Sequence, residues 1–250
     1  MVNARTPPVT VTWQLKDGDS IMRSLMSALA TASAGALGSA AKKMSWRRPS
    51  AGDKAMRRLT AWFIVPLWIG AGFADYLWHR RTRIETTSGL EEGLTHSLMM
   101  LEAAPPVLAP LFLEINAGVL AWMIALSVLH EATVLFDLWF TAPRRAIPAG
   151  EQVTHTFLEA PPFLVTAAAI STHWDQFRAL FGRGSERPRF QIRLQHPSVP
   201  VSNIIAMFAT LTLLGALPHA DELRRCIQAK KAGTAGQDTP ACLPEVYSRS

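Results

Sequence analysis

Glu92-Gly93-Leu94-Thr95-His96, followed by Leu101-Glu102-Ala103-Ala104-Pro105-Pro106, returns later in the chain as Glu151-Gln152-Val153-Thr154-His155, followed by Leu158-Glu159-Ala160-Pro161-Pro162. Both copies read E-x-x-T-H, then L-E-A, then a proline pair. The second is shorter by two residues before L-E-A and by one Ala after it. Upstream the likeness is looser but keeps its order. Asp75-Tyr76-Leu77-Trp78 with Arg80-Arg81 stands against Asp137-Leu138-Trp139 with Arg144-Arg145. Chance supplies one such match easily, but hardly the whole series in one order.

Apolar segments frame both copies, over about 60–78, 94–113, 115–140, 154–172 and 199–217. Each is near the ~20 residues that cross ~30 Å of hydrocarbon. The turn around Glu114 and Asn116 is so short that the second and third segments must form a tight antiparallel hairpin. The repeat predicts an all-α polytopic membrane protein. Two repeated helical hairpins make a four-helix core, and a fifth transmembrane helix follows it.

Composition agrees. Of 250 residues, 49% are hydrophobic and 18% charged, against roughly 25% charged in soluble proteins. Eight Trp suit interfacial anchoring. The formal charge of +6 does not point to nucleic acid, because the basic residues flank apolar segments and form no stripe with interleaved aromatics. They read as topology signals. Ten Lys or Arg precede the first segment and five Arg lie in 173–197, against three in 79–93 and two in 141–153. The bias predicts a plasma (inner) membrane protein with its N-terminus cytoplasmic and its C-terminal tail periplasmic or extracellular.

The organisation expected is a basic extension without fixed structure over 1–58, a core over 59–175, an Arg-rich cytoplasmic loop over 176–198, the fifth helix over 199–218 and a tail over 219–250. The small-residue stretch 24–41 is too weakly apolar to span. Met56, directly before Arg57-Arg58, is an alternative start. Cys226 and Cys242 flank a Gly- and Pro-containing turn and read as one disulfide in an oxidising compartment. No C-x-x-C pair is present, which argues against a cysteine metal site.

The ionisable residues of the core gather at its outer end. Asp75, His79, His130, Glu131 and Asp137 close the first and third segments. Glu92, His96 and Glu102 open the second, and Glu151, His155 and Glu159 open the fourth. At 1.5 Å per residue, Glu102, His130 and Glu159 lie roughly 12–15 Å in, and His96, His155, Asp75 and Asp137 roughly 3–7 Å in. Asp75 with His79, Glu92 with His96, and Glu151 with His155 and Glu159 share helix faces; Glu102 falls off the stripe of His96.

A carboxylate inside a bilayer costs at least ~2.5–3.5 kcal/mol, and no Lys or Arg lies within the core segments to neutralise this group. Cations, protons or water must accompany it. Mixed carboxylate and imidazole donors suit Fe, Zn or Mn, and the duplication points to two divalent ions. The expected metal ligands are Asp75, His79, Glu92, His96, Glu102, His130, Asp137, Glu151, His155 and Glu159. Glu131 is the candidate to move protons or orient a ligand. The proline pairs free carbonyls beside Glu102 and Glu159 and predict a widened cavity there.

The scheme is similar to the di-iron carboxylate bundles of the ferritin-like class, where each half supplies a Glu from one helix and E-x-x-H from the next. Here each half has an Asp and E-x-x-x-H, one residue longer and in a spanning chain. The likeness is one of ligand arrangement, not kinship, and implies redox chemistry. The H-x-x-H-H boxes of membrane desaturases are absent.

Other classes compete with an oxidoreductase acting on a small-molecule or lipid substrate. A b-type haem protein would pair His96 with His155, but has no need of the acids. A transporter or proton relay would need polar residues across the whole membrane. In a structural protein the same groups would bond between helices or face headgroups; for His79, Glu92 and Glu151, near the interface, that is the simpler expectation. His173 and His196 read as interfacial and loop residues. His219, Asp221 and Glu222 follow the fifth segment and would cap the site, although the repeat does not include them. No P-loop, G-x-S-x-G elbow or H-E-x-x-H box is present.

Overall fold

The computed structural model describes residues 49–195 and 200–238. The expectations for most of the N-terminal extension, for His196 and for Cys242 lie outside the described residues.

Among the described residues six helices follow one another. Helix α1 runs Ala51–Thr82, with a π-helical stretch over Thr60–Ile64. Ser50 caps it in a capping box: Asp53 N–H donates to Ser50 Oγ at 3.1 Å, and Ser50 N–H donates to Asp53 Oδ2 at 2.7 Å. Two backbone donors that no helical carbonyl reaches are satisfied in this way. The helix ends where Arg83 turns left-handed, at φ 52°, and a single 3-10 turn, Ile84–Thr86, leads on. Helix α2 is Leu90–Phe112, entered through Gly89 at φ 77°, where any Cβ would be strained.

Helix α3, Ala117–Thr141, follows a turn of four residues and is capped by Asn116, whose Oδ1 accepts from Val119 N–H at 3.1 Å. Helix α4 is Ala149–Thr172, α5 is the short Trp174–Leu180, and α6 is Val201–Ala232 with a second π stretch over Thr212–Ala216. Among the described residues there is no β-strand, only an isolated bridge between Leu113 and Leu194.

Among the described residues three helices are long and apolar enough to cross a membrane: α1, α3 and α6. Helices α2 and α4 are nearly as long as α3 but less apolar, since Glu, His, Thr and Pro are spread among their apolar residues. Both keep their prolines inside an unbroken helix: Pro105, Pro106 and Pro110 in α2, Pro161 and Pro162 in α4. Helix α2 packs on α3, α1 on α4, and α4 against both α2 and α3.

Burial divides this body in two. Around one end the core is apolar: Met56, Ile64, Ala109, Ile115, Val119, Leu120, Met123, Val165 and Ala169 close on one another. Val65, Ile69, Val107 and Leu111 continue it between α1 and α2. At the other end the buried side chains are His79, Glu92, His96, Asp137, Arg145, Glu151 and Glu222. Helix α6 differs from the rest, since only 6% of its apolar stretch is buried. Its N-terminal half leans on α1 across a cleft of about 510 Å³, and its C-terminal half reaches over the polar end.

Candidate metal centre

The polar end is assembled from five helices and one loop. Helix α1 delivers Asp75 and His79 one turn apart, so they share a face; His79 Nε2 lies 3.4 Å from Asp75 Oδ2. Helix α4 delivers Glu151 and His155 at the same spacing. Glu151 Oε1 lies 3.4 Å from His79 Nε2, and His155 Nε2 lies 3.0 Å from Asp75 Oδ1. These four residues offer donor atoms within 4.8 Å of one another.

Helix α2 delivers Glu92 and His96, and helix α3 delivers Asp137. His96 Nε2 lies 3.8 Å from Glu92 Oε1 and 3.6 Å from Asp137 Oδ2. His79, Glu92 and His96 form a second group of donors within 4.8 Å. The imidazoles of His79 and His96 stack, with centroids 4.8 Å apart and planes 13° from parallel. Two adjacent ligand sets therefore meet along that stack.

Glu222, from the far end of α6, ties the sets together. Nδ1–H of His79 donates to Glu222 Oε2 at 2.8 Å, while His96 Nδ1 lies 3.5 Å from Glu222 Oε1. A carboxylate holding Nδ1 leaves Nε2 as the coordinating nitrogen, the usual outer-shell arrangement of metal-binding histidines. His79 Nε2 is buried and has no hydrogen-bond partner among the described residues, and the same holds for Asp75 Oδ1, Asp137 Oδ1, Glu151 Oε2 and Glu222 Oε1. Lone pairs converging on lone pairs in a dry interior are costly unless a cation stands among them. The donor chemistry fits a metal ion.

One cation belongs to the protein itself. Arg145, in the loop between α3 and α4, is 3% exposed. Its Nη2 donates to Glu92 Oε1 and to Glu151 Oε1, both at 2.5 Å, and its Nε donates to Glu92 as well. Burial works against its charge, but the hydrogen bonds and Coulomb attraction of Glu92, then Glu151, outweigh that and raise its pKa. Ser88 donates a short hydrogen bond to Glu92 from the other side.

His79, Glu92 and Glu151 do not face headgroups: His79 is 1% exposed and the two acids 0%. The 3-10 turn with buried Ile84, Arg145 and the end of α6 cover them. Asp137 sits at the edge, against His96. Glu102 accepts from Thr133 Oγ1 at 3.0 Å; His130 is buried; Glu131 and Glu159 are half-buried. None of these four belongs to either group. His219 is hydrogen-bonded to Ser97 at 2.8 Å, beside Glu222. Cys226, the one cysteine of the expected disulfide that is described, is fully buried on α6.

Two members escape a reading of the repeat. Arg145 reads as a topology residue in the sequence, like its neighbour Arg144, which lies over the Phe140 ring instead of joining the acids. Only its place six residues before Glu151, in the short loop that leads into α4, could have marked it. Glu222 is the sole carboxylate near the last apolar segment that lies three residues after a His, which is the signal it leaves. No protein-family model matches the chain, and no match to it was found among curated proteins or solved structures.

Proposed function

We propose that this chain is a multi-pass membrane metalloprotein, a four-helix core plus a fifth spanning helix, with a dinuclear carboxylate and histidine centre in the outer half of the core. The observation that carries it is the pair of adjacent buried donor groups, Asp75–His79–Glu151–His155 and His79–Glu92–His96.

His79 appears in both groups, and its Nδ1 is already engaged by Glu222. It therefore has one nitrogen to give, to the first set. Asp137 then completes the second set with Glu92 and His96. Under this division the duplicated sequence acquires a chemical meaning. Each ion takes the Asp of one hairpin, Asp75 or Asp137, and the E-x-x-x-H of the other, Glu151–His155 or Glu92–His96. The contacts His155–Asp75 and His96–Asp137 are the two halves of that exchange.

Charge supports the same count. Asp75, Glu92, Asp137, Glu151 and Glu222 are five carboxylates and Arg145 is one guanidinium. With neutral imidazoles four negative charges remain, which two divalent ions balance. Fe, Zn and Mn all accept this donor set. Bound here, a redox-active pair would supply electron transfer to a small molecule from the membrane. The chain's part is to hold, orient and keep dry: Glu222 fixes the imidazoles, Arg145 restrains Glu92 and Glu151, and the covering elements exclude water. An open groove of about 420 Å³ between α2 and α3, lined by Leu94, Thr95, Leu98, Ala132, Thr133 and Phe136, includes the chain neighbours of His96 and Asp137 and would offer an apolar substrate a place to dock.

A haem between paired histidines is less well supported. His96 and His155 turn Nε2 toward Asp137 and Asp75, and His79 lies face to face with His96 where a porphyrin would need the space.

The test is elemental analysis of detergent-purified protein beside a His96→Ala, His155→Ala variant. About two equivalents of one divalent metal in the wild type, lost in the variant with the helical spectrum kept, support the centre. Equal and negligible metal in both, after growth with Fe, Zn and Mn supplied, overturns it.

A further inference from the structure

The segment 182–195 has no regular secondary structure apart from one bridge residue, yet its backbone is firmly tied. Gly118 N–H donates to Arg189 O at 3.0 Å, Glu114 N–H to Arg193 O at 2.8 Å, and Gln195 N–H to Phe112 O at 2.8 Å. Asn116 Nδ2 donates to Gln191 O at 2.7 Å. Gln176 of α5 supports the start of the segment, accepting from Arg189 N–H at 3.1 Å and from Ala117 N–H at 3.3 Å with the same oxygen. The segment is a strap across the turn between α2 and α3, and it satisfies backbone donors that open α3. Gly118 is needed for that approach, since a Cβ there would meet the Phe190 backbone at 3.0 Å.

A strap held this well has no backbone reason to display apolar side chains. It displays three in alternation: Phe190, Ile192 and Leu194, exposed by 63%, 80% and 57%. In an extended chain residues two apart share a face. Arg189, Gln191 and Arg193 take the other face, with exposed Arg183 and Arg187 just before. Helix α5 and its C-cap add the exposed rings of Trp174 and Phe181, joined through Phe177, which stacks on Trp174 and meets Phe181 edge-on. The depth is also given, because the strap lies at the first residues of α3, an end of an apolar stretch long enough to span.

We infer that the strap 182–195, together with α5, is an interfacial anchor on the leaflet at the N-terminal end of α3, and that its partner is anionic phospholipid. Phe190, Ile192, Leu194, Phe181 and Trp174 enter the boundary between headgroups and acyl chains, where amphipathic and aromatic side chains concentrate. Arg183, Arg187 and Arg193 meet the phosphates. The attraction is that of a basic juxtamembrane segment for an anionic surface. Arg189 is spent on Glu114, at 3.2 Å, and is left out. The inference rests on the membrane-spanning reading but not on the metal centre.

The test uses the full chain with Cys226→Ala and Cys242→Ser, an Ile192→Cys substitution, and an environment-sensitive fluorophore attached to the thiol introduced at position 192. It is reconstituted in phosphatidylcholine alone or mixed with phosphatidylglycerol. A second chain carries the label through Leu129→Cys, an exposed apolar position of α3. At 192 the expected result is a blue-shifted emission, quenched by spin-labels high on lipid chains and shielded from aqueous iodide, with shielding stronger in the anionic mixture. Adding Arg187→Gln and Arg193→Gln should abolish that difference. Iodide quenching at 192 with lipid quenching at 129 overturns the anchor alone; iodide quenching at both overturns the spanning reading. Shielding at 192 that grows with protein density and shows no lipid quenching identifies a second copy as the partner and also overturns it. Headgroup analysis of lipid co-purifying with the otherwise unaltered chain needs no label. Anionic lipid should fall at least about twofold in the Arg187→Gln, Arg193→Gln variant, and unchanged anionic lipid would overturn the proposal.

Discussion

Glu222 Oε2 accepts a hydrogen bond from Nδ1 of His79 across 2.8 Å, which fastens the far end of α6 to α1 at the centre of the polar cluster. Its other oxygen faces His96, so one carboxylate sets the direction of two stacked rings. Outer-shell partners of this kind are typically worth 10- to 100-fold in metal affinity. Glu222→Ala should lower affinity by about that factor, read by metal titration against a competing chelator. Glu222→Gln keeps one acceptor oxygen and should fall between. A cobalt-substituted protein should show an altered ligand-field spectrum in Glu222→Ala, which a purely structural role would not produce. Wild-type affinity in Glu222→Ala would remove Glu222 from any orienting role.

Arg145 joins Glu92 and Glu151 where all three side chains are 2% exposed or less. Removing one partner from such a group leaves charge buried without compensation, at a cost of about 3–5 kcal/mol. Arg145→Met should therefore lower the melting temperature of the metal-free protein sharply. Adding divalent metal should recover part of the loss, because an ion at the same carboxylates replaces the missing charge. Combining Arg145→Met with Glu92→Gln and Glu151→Gln should recover stability without metal. An Arg145→Met protein as stable as wild type would show that the guanidinium is not needed.

The exchange of ligands between hairpins makes a stoichiometric prediction. Asp75 faces His155, and Asp137 faces His96. Asp75→Asn and Asp137→Asn should each reduce bound metal from about two equivalents to about one, and the double variant to near zero. Elemental analysis per protein settles it. If either single variant lost all metal, the two sets would not be separable.

Much of this centre was legible because local spacing does the work. The i, i+4 pairs Asp75–His79, Glu92–His96 and Glu151–His155 each put two donors on one face, and the duplicated sequence put those faces at one end of the chain's helices. Burial was not legible. Near a membrane edge the simpler expectation for His79, Glu92 and Glu151 was an interhelical bond or a headgroup, and what buries them is the 3-10 turn at Ile84, Arg145 and the C-terminal half of α6, none of which the periodicity reveals. Arg145 was hidden for a related reason, and Glu222 stood out only as one of three residues placed to cap the site, outside the repeat. Each is held by partners far away in sequence, and a charged residue in a loop or tail carries no local mark of a tertiary partner. Depth proved a weaker guide than phase: Glu102 lies within α2 as counted, but it bonds to Thr133 of α3 instead of joining His96. Among the described residues α1, α3 and α6 carry their apolarity openly; in α2 and α4 Glu, His and Pro interrupt the apolar pattern.

Trp78 and Gly150 offer a test of how closely the centre depends on packing around it. Trp78 immediately precedes His79 on α1, and its ring lies against Gly150, one residue before Glu151 on α4. A Cβ at Gly150 would overlap the Trp78 ring, and the ring has no flexible end that could move aside. Gly150→Ala should cost about 1–3 kcal/mol through overpacking, although alanine is otherwise the better helix former. The strain falls between His79 and Glu151, whose side chains stand 3.4 Å apart, so metal affinity should fall as well. Trp78→Phe removes the overlapping part of the ring and should restore both stability and affinity in the Gly150→Ala background, while costing some packing by itself. Thermal melts and metal titrations on the four proteins of this cycle measure the coupling. Additive effects of the two substitutions would mean that the contact does not position the ligands.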